Sequence, residues 1–116
     1  MYLTMQRDEF ARNLAAGMYG LIVLDVLRDG PNFGYGIRKR IFKRSKGTWN
    51  WQDGTIYPVL RHLEKEGLVT SQWRRPKDGR QRCYYRLTPR GERVCQRQRR
   101  QWTTFTRTVN ALVSAH

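Results

Sequence analysis

The stretch D-G-T-I-Y-P-V-L-R-H-L-E-K-E-G-L-V-T-S-Q-W, Asp53 to Trp73, constrains the fold more than any other part of the chain. Its apolar residues Ile56, Val59, Leu60 and Leu63 recur at three- and four-residue spacings, which puts them on one side of a helix. Thr55, Tyr57, Arg61, His62 and Lys65 fall on the other side. Asp53 is the expected N-cap, Pro58 is expected to belong to a loose first turn, and Gly67 is a natural terminator. Leu68 to Trp73 then reads as a strand and Cys83 to Leu87 as a second, separated by the turn formers Pro76, Asp78 and Gly79.

The flanks supply a scaffold for this unit. From Glu9 to Arg28, the residues Phe10, Leu14, Met18, Leu21, Ile22, Leu24 and Leu27 form a broad apolar stripe, as a central helix requires. Gly17 and Gly20 each weaken that helix by about 1 kcal/mol relative to alanine, so close approach by another helix is expected there. Tyr2, Leu3 and Met5, before it, fit either a helix start or a frayed end. Asp29, Gly30, Pro31 and Asn32 make a stop and turn, after which Gly34 to Ser45 reads as a helix with Ile37 and Ile41 inward and Arg38, Lys39, Arg40, Lys43 and Arg44 around the rest. One or both of Trp49 and Trp51 are expected to dock on the core as lids, with exposed stacking on a base as the alternative. Thr88 followed by Pro89 is an N-cap and first-turn proline, opening a last helix that runs to about Ser114. Its residues Trp102, Phe105, Val109 and Leu112 repeat with the spacing of a coiled-coil seam. A partner helix is implied, most simply the same helix of a second copy; packing on the N-terminal helix of the same chain is the alternative.

Charge narrows the function. The formal net charge is +14 over 116 residues, and between Arg74 and Arg100 eleven basic residues face only Asp78 and Glu92, a local net charge of +9. Any single cation has a solvated surface as sufficient explanation, but the collective excess calls for a polyanionic partner, and nucleic acid is the commonest one for a compact basic domain. Arg80, beside Gly79 at the hairpin tip, suits a minor groove. A membrane partner is disfavoured: the longest apolar run, Leu21 to Leu24, ends at Asp25, far short of a spanning helix, and Arg7, Asp8 and Glu9 interrupt any signal-peptide pattern. The reading is a cytoplasmic protein. Cys83 and Cys95, with His62 and His116, make neither a disulfide framework nor a four-ligand metal site; the two cysteines read as small, partly buried hydrophobes, with a redox pair as the alternative. No phosphate-cradling glycine loop, paired carboxylates or activated nucleophile is present, so no enzyme, cofactor or metal is expected.

A polar-faced helix followed by a basic hairpin is the outline of a winged helix-turn-helix: mainly α with a small β-hairpin, residues 9–88 forming the DNA-binding unit and 89–114 a C-terminal dimerisation helix packed on it. G-P-N-F-G-Y-G-I at Gly30 to Ile37, the run Gly54 to Val69, and R-C-Y-Y-R-L-T-P-R-G at Arg82 to Gly91 together resemble the PadR family of transcriptional regulators. The resemblance implies a homodimer joined by the last helix, repression relieved by a small molecule, and DNA-facing residues at Tyr35, Gly54, Thr55, Tyr57 and Pro58, with Lys77, Arg80 and Arg82 on the wing. Lys39 and Arg61 join them from the residue reading, Arg61 as a guanine-reading candidate. The compact subgroup that includes multidrug-binding regulators further implies a flat aromatic effector against Trp102, though a tryptophan in such a seam has plain packing as its commoner role. Two features depart from the family pattern. Asp53 puts a carboxylate near the groove, and the first half of the last helix is unusually arginine-rich, suited to a longer DNA footprint or to an acidic ligand. Two other readings stay open: a non-specific nucleic-acid-packaging or RNA-binding protein, and a protein-interaction module working through the Trp102 seam.

Overall fold

The computed structural model describes residues 18–114, so Tyr2, Leu3, Met5, Phe10, Leu14, Gly17, His116 and the expected helix start at Glu9 lie outside it. The elements are α1 (Tyr19–Leu27), β1 (Asn32–Phe33), α2 (Gly34–Arg44), α3 (Asp53–Lys65), β2 (Val69–Arg74), β3 (Arg82–Leu87) and α4 (Pro89–Val113). Leu21, Val23, Leu24, Val26 and Leu27 of α1 are all buried, and Ile37 and Ile41 of α2, Ile56, Leu60 and Leu63 of α3, and Val94 and Cys95 of α4 close around them. The close approach expected at Gly20 does not demand glycine: a Cβ there would stand 3.5 Å from Leu63 Cδ2 of α3, an ordinary contact. Trp51 is buried and Trp49 packs half-buried against the core, as lids over α1 through Tyr19, whose ring centroid is 4.5 Å from that of Trp51.

The sheet differs from the expected two-stranded hairpin. It has three antiparallel strands in the order β1-β3-β2, because Asn32, read as part of a turn, and Phe33 after it pair with Tyr85 and Tyr84. A two-residue strand carries no periodicity of its own; it exists only through its partner. Alternation on β3 sends Tyr85 into the core and leaves Tyr84 on the outer face.

Helix ends explain much of the remaining sequence. The end of α3 is a Schellman motif: Gly67, at φ 75°, donates to Glu64 O at 3.0 Å, and Leu68 N donates to Leu63 O at 2.9 Å. Thr88 then ties α3 to α4. Its hydroxyl donates to Gly67 O at 2.7 Å, its oxygen accepts from Gly91 N at 2.9 Å, and its own N–H donates to Leu68 O at 3.1 Å. At the start of α3 the expectation fails: Gln52, not Asp53, is the N-cap, and no side chain caps it. Asp53 is the first helical residue, so its carboxylate is free for another partner. Pro58 likewise lies inside the helix, beyond the first turn, and lacks the N–H that would have met the Gly54 carbonyl.

The long axis of the molecule is 56 Å against 31 and 26 Å, because α4, about 37 Å long at 1.5 Å per residue, continues past the body. Among the described residues no helix is long and apolar enough to cross a membrane.

Candidate nucleic-acid interface

Burial of Ile56, Leu60 and Leu63 fixes which side of α3 turns outward. Gly54, Pro58, Arg61, His62 and Lys65 are exposed, and Thr55 and Tyr57 are half-buried. A Cβ on Gly54 would meet nothing within 4 Å, so the start of α3 presents bare backbone. Tyr57 instead leans back on α2: a Cβ on Gly34 would stand 2.7 Å from its hydroxyl, so only glycine there admits the ring. The helix is about 20 Å long and, at 10–12 Å across, matches a B-DNA major groove.

The cations of α2 are not equivalent. Arg44 bridges Asp25 at 3.3 Å and also pairs with Asp29, which Arg40 contacts too. Arg38 pairs with Asp53 at 2.8 Å. Among the described residues Lys39 and Lys43 have no acidic partner, and Lys39 Nζ sits 5.4 Å from the ring centroid of the exposed Tyr35. Three of the five cations are thus neutralised within the fold, which residue types alone did not reveal. Asp25 extends the network to α4 through Arg99 at 3.5 Å.

On the wing, Gly79 takes φ 80° at the tip, and Asp78 accepts from Arg80 N at 3.0 Å and pairs with Arg82 at 2.7 Å. The Arg80 N–H and the Arg82 guanidinium hold the Asp78 carboxyl below its usual range, and that bond raises Arg82 in turn. Arg82 also lies 4.7 Å over the Phe33 ring, and Arg74 lies 5.6 Å over Tyr84. Arg82 is therefore anchored to the body, while Lys77 and Arg80 are exposed and have no ion pair among the described residues. Sequence reasoning missed Phe33 and its meeting with Tyr84, whose ring stands 5.4 Å away, since that meeting depends on the unforeseen β1–β3 pairing.

Cys83 is half-buried and Cys95 buried, both free, and burial pushes the Cys95 thiol up, away from reactivity. On α4 the seam stands open: Trp102 is 38% exposed, Phe105 60% and Leu112 71%. Trp102 stacks on Phe105 at 5.9 Å and, with Trp49, Leu21, Ile22 and Ile41, lines an apolar cleft of about 720 Å³ whose rim carries Asp25, Arg44 and Arg99.

Three packed helices, the third presented outward and followed by a basic two-stranded wing, define a winged helix-turn-helix. The model of the transcriptional regulator PadR-like family matches residues 23–97, and the chain belongs to that family. Its structure is similar to a transcriptional regulator from Clostridium thermocellum (TM-score 0.80, 27% identity, covering 87% of this chain and 98% of that one). It is equally similar to a PadR family transcriptional regulator from Eggerthella lenta (TM-score 0.80, 29% identity, 94% and 93%). In sequence it is 43% identical over 56 residues to Transcriptional regulator Rv3488 of Mycobacterium tuberculosis, covering 48% of this chain and 51% of that protein.

Proposed function

We propose that this transcriptional regulator is a homodimeric, sequence-specific repressor whose two α3 helices enter successive major grooves about 34 Å apart, with the wings on the flanking minor grooves. The observation that carries the reading is α3 itself, buried along one side and exposing Gly54, Pro58, Arg61 and Lys65 along the other, and followed in the chain by a wing whose tip bears Lys77 and Arg80. Arg61 reads a base, Thr55, Tyr57 and the Gly54–Pro58 backbone fit the helix to the groove, and Tyr35 and Lys39 meet phosphate. Arg82 serves the wing by holding its base to the body rather than by reaching out. Residues 9–88 act as the DNA-binding unit and 89–114 as the dimerisation helix. Burying Trp102, Phe105, Val109 and Leu112 on both copies contributes on the order of 10 kcal/mol before association costs. The apolar cleft beside Trp102 is wide enough for a flat aromatic effector, and its rim ions join α4 to α1 and α2, so occupancy there would alter how the DNA-binding unit is held.

Selection of bound sequences from a random duplex library at about physiological salt tests this. An inverted repeat with half-sites one turn apart is expected. Recovery of random sequence, with affinity collapsing as salt rises, would favour packaging instead. Tight protein binding that survives neutralisation of the wing would favour an interaction module. With the operator known, Arg61→Ala should cost about 1–3 kcal/mol and relax preference at one base pair. Arg80→Ala should weaken all duplexes alike and reduce the salt slope by about one.

A further inference from the structure

The start of the groove-facing helix is held in an unusual way. Gln52 provides no side-chain cap, and the backbone N–H groups of Thr55 and Ile56 both fall on its carbonyl, at 2.9 and 3.1 Å. What grips this end instead is Arg38, from the middle of α2. Its Nε donates to Trp51 O at 2.7 Å and its Nη1 to Asp53 Oδ1 at 2.8 Å, so one planar guanidinium spans the N-cap Gln52, joining the linker residue before it to the first residue of α3. The Arg38 side chain is only 21% exposed, and its Cζ lies 5.7 Å from the Tyr35 ring. Trp51, on the far side of the clamp, is itself fixed in the core. The fork of a guanidinium is rigid, so two bonds from it define an angle as well as a distance.

We propose that Arg38 is a positioning residue for sequence reading: by clamping Trp51 O and Asp53 it sets the tilt of α3 in the groove without itself contacting DNA. The proposal rests on the DNA-binding reading above. Residues near the N-terminus of a recognition helix make the base contacts, so a change of tilt at this end displaces them most. Contacts to phosphate from long, flexible lysine side chains follow such a change far more easily. Asp53 also cancels the charge of Arg38, so the pair adds no net charge toward phosphate, in contrast to Lys39 one residue along. This gives the carboxylate at the groove a purpose: it is one jaw of the clamp.

The test uses the full chain, the selected operator and a random duplex of the same length. Affinities are measured across a salt series for the wild type, Arg38→Lys, Arg38→Met and Asp53→Asn, with a thermal midpoint for each. Arg38→Met should lower operator affinity about 10- to 100-fold, while random duplex loses only what the uncovered Asp53 carboxylate repels, a few-fold with a slope lower by about one. Arg38→Lys, which keeps the charge and reaches one acceptor, should fall between. Asp53→Asn, at an exposed position that leaves the core untouched, should tighten random-duplex binding, steepen the slope by about one and narrow the operator-to-random ratio. The proposal is overturned if Arg38→Met weakens both duplexes equally, since loss of one positive charge near phosphate without any loss of tilt does that. It is equally overturned if the ratio holds in Arg38→Met and Asp53→Asn, whatever their thermal midpoints. A wild type with no operator preference would sink the DNA reading itself, before any variant is compared.

Discussion

Lys46 occupies a position that favours glycine. It sits at φ 53° just after α2, where Lys46 N donates to Lys43 O and Gly47 N to Phe42 O, so the left-handed residue of a Schellman turn carries a β-carbon. Lys46→Gly is expected to raise stability by about 0.5–1 kcal/mol, read from the urea midpoint; no gain would mean that the side chain contributes more than its backbone costs. Tyr85 sets a limit at high pH. Burial, chiefly, pushes its hydroxyl up from 10.0 to about 12, so between those values the unfolded chain gives up a proton that the folded chain keeps. Stability is therefore whole below pH 10 and declines as pH rises through 12. A plot of thermal midpoint against pH over that window should be shallower in Tyr85→Phe, and an unchanged slope would count against the burial argument. That Tyr85 rather than Tyr84 faces inward follows from β3 pairing; alternation along a strand requires only that the two face opposite ways. Asp53 was legible as an anomaly and illegible as a solution, since Arg38 lies 15 positions away and only the meeting of α2 with α3 joins them.

Among the elements, the junction of α3, β2 and α4 is the most tightly determined. A Cβ on Gly91 would stand 1.9 Å from Leu68 O, a backbone atom that also receives the Thr88 N–H. Gly91→Ala should therefore cost about 1–3 kcal/mol by forcing α4 away from β2, measurable as a lower urea midpoint; a neutral result would show that α4 can start elsewhere. The long elements were readable because their apolar spacing and end signals agree: Thr88-Pro89 opened α4, and Gly67 closed α3, where the sequence said they would. Pro58 was placed too near the helix start because the cap was assigned one residue late. For β1 there was no signal to read, its two residues owing their conformation to Tyr84 and Tyr85. The outward face of α3 was legible from its periodicity, whereas the neutralised arginines of α2 were not, because ion pairs join residues of different elements.

At the scale of the whole molecule, charge and apolar surface are kept apart. The wing and α2 carry the cations that meet DNA in our reading, and the second half of α4 carries an apolar edge with Phe105, Leu112 and Val113 each at least 60% exposed. Leu112→Glu is expected to leave the helical signal of circular dichroism nearly intact while shifting sedimentation from dimer to monomer; a dimer that persists would move the interface off this edge. The portion of α4 beyond Trp102 has a further consequence. On its own it is about three turns of helix with little to lean on, a length at which helices in water are marginal. An unpaired copy would then offer proteases a fraying end that a paired copy hides, so dilution should hasten cleavage after Trp102 and raising the protein concentration should slow it. Turnover in the cell would clear solitary chains first, and the supply of competent regulator would rise with copy number as a threshold rather than in proportion.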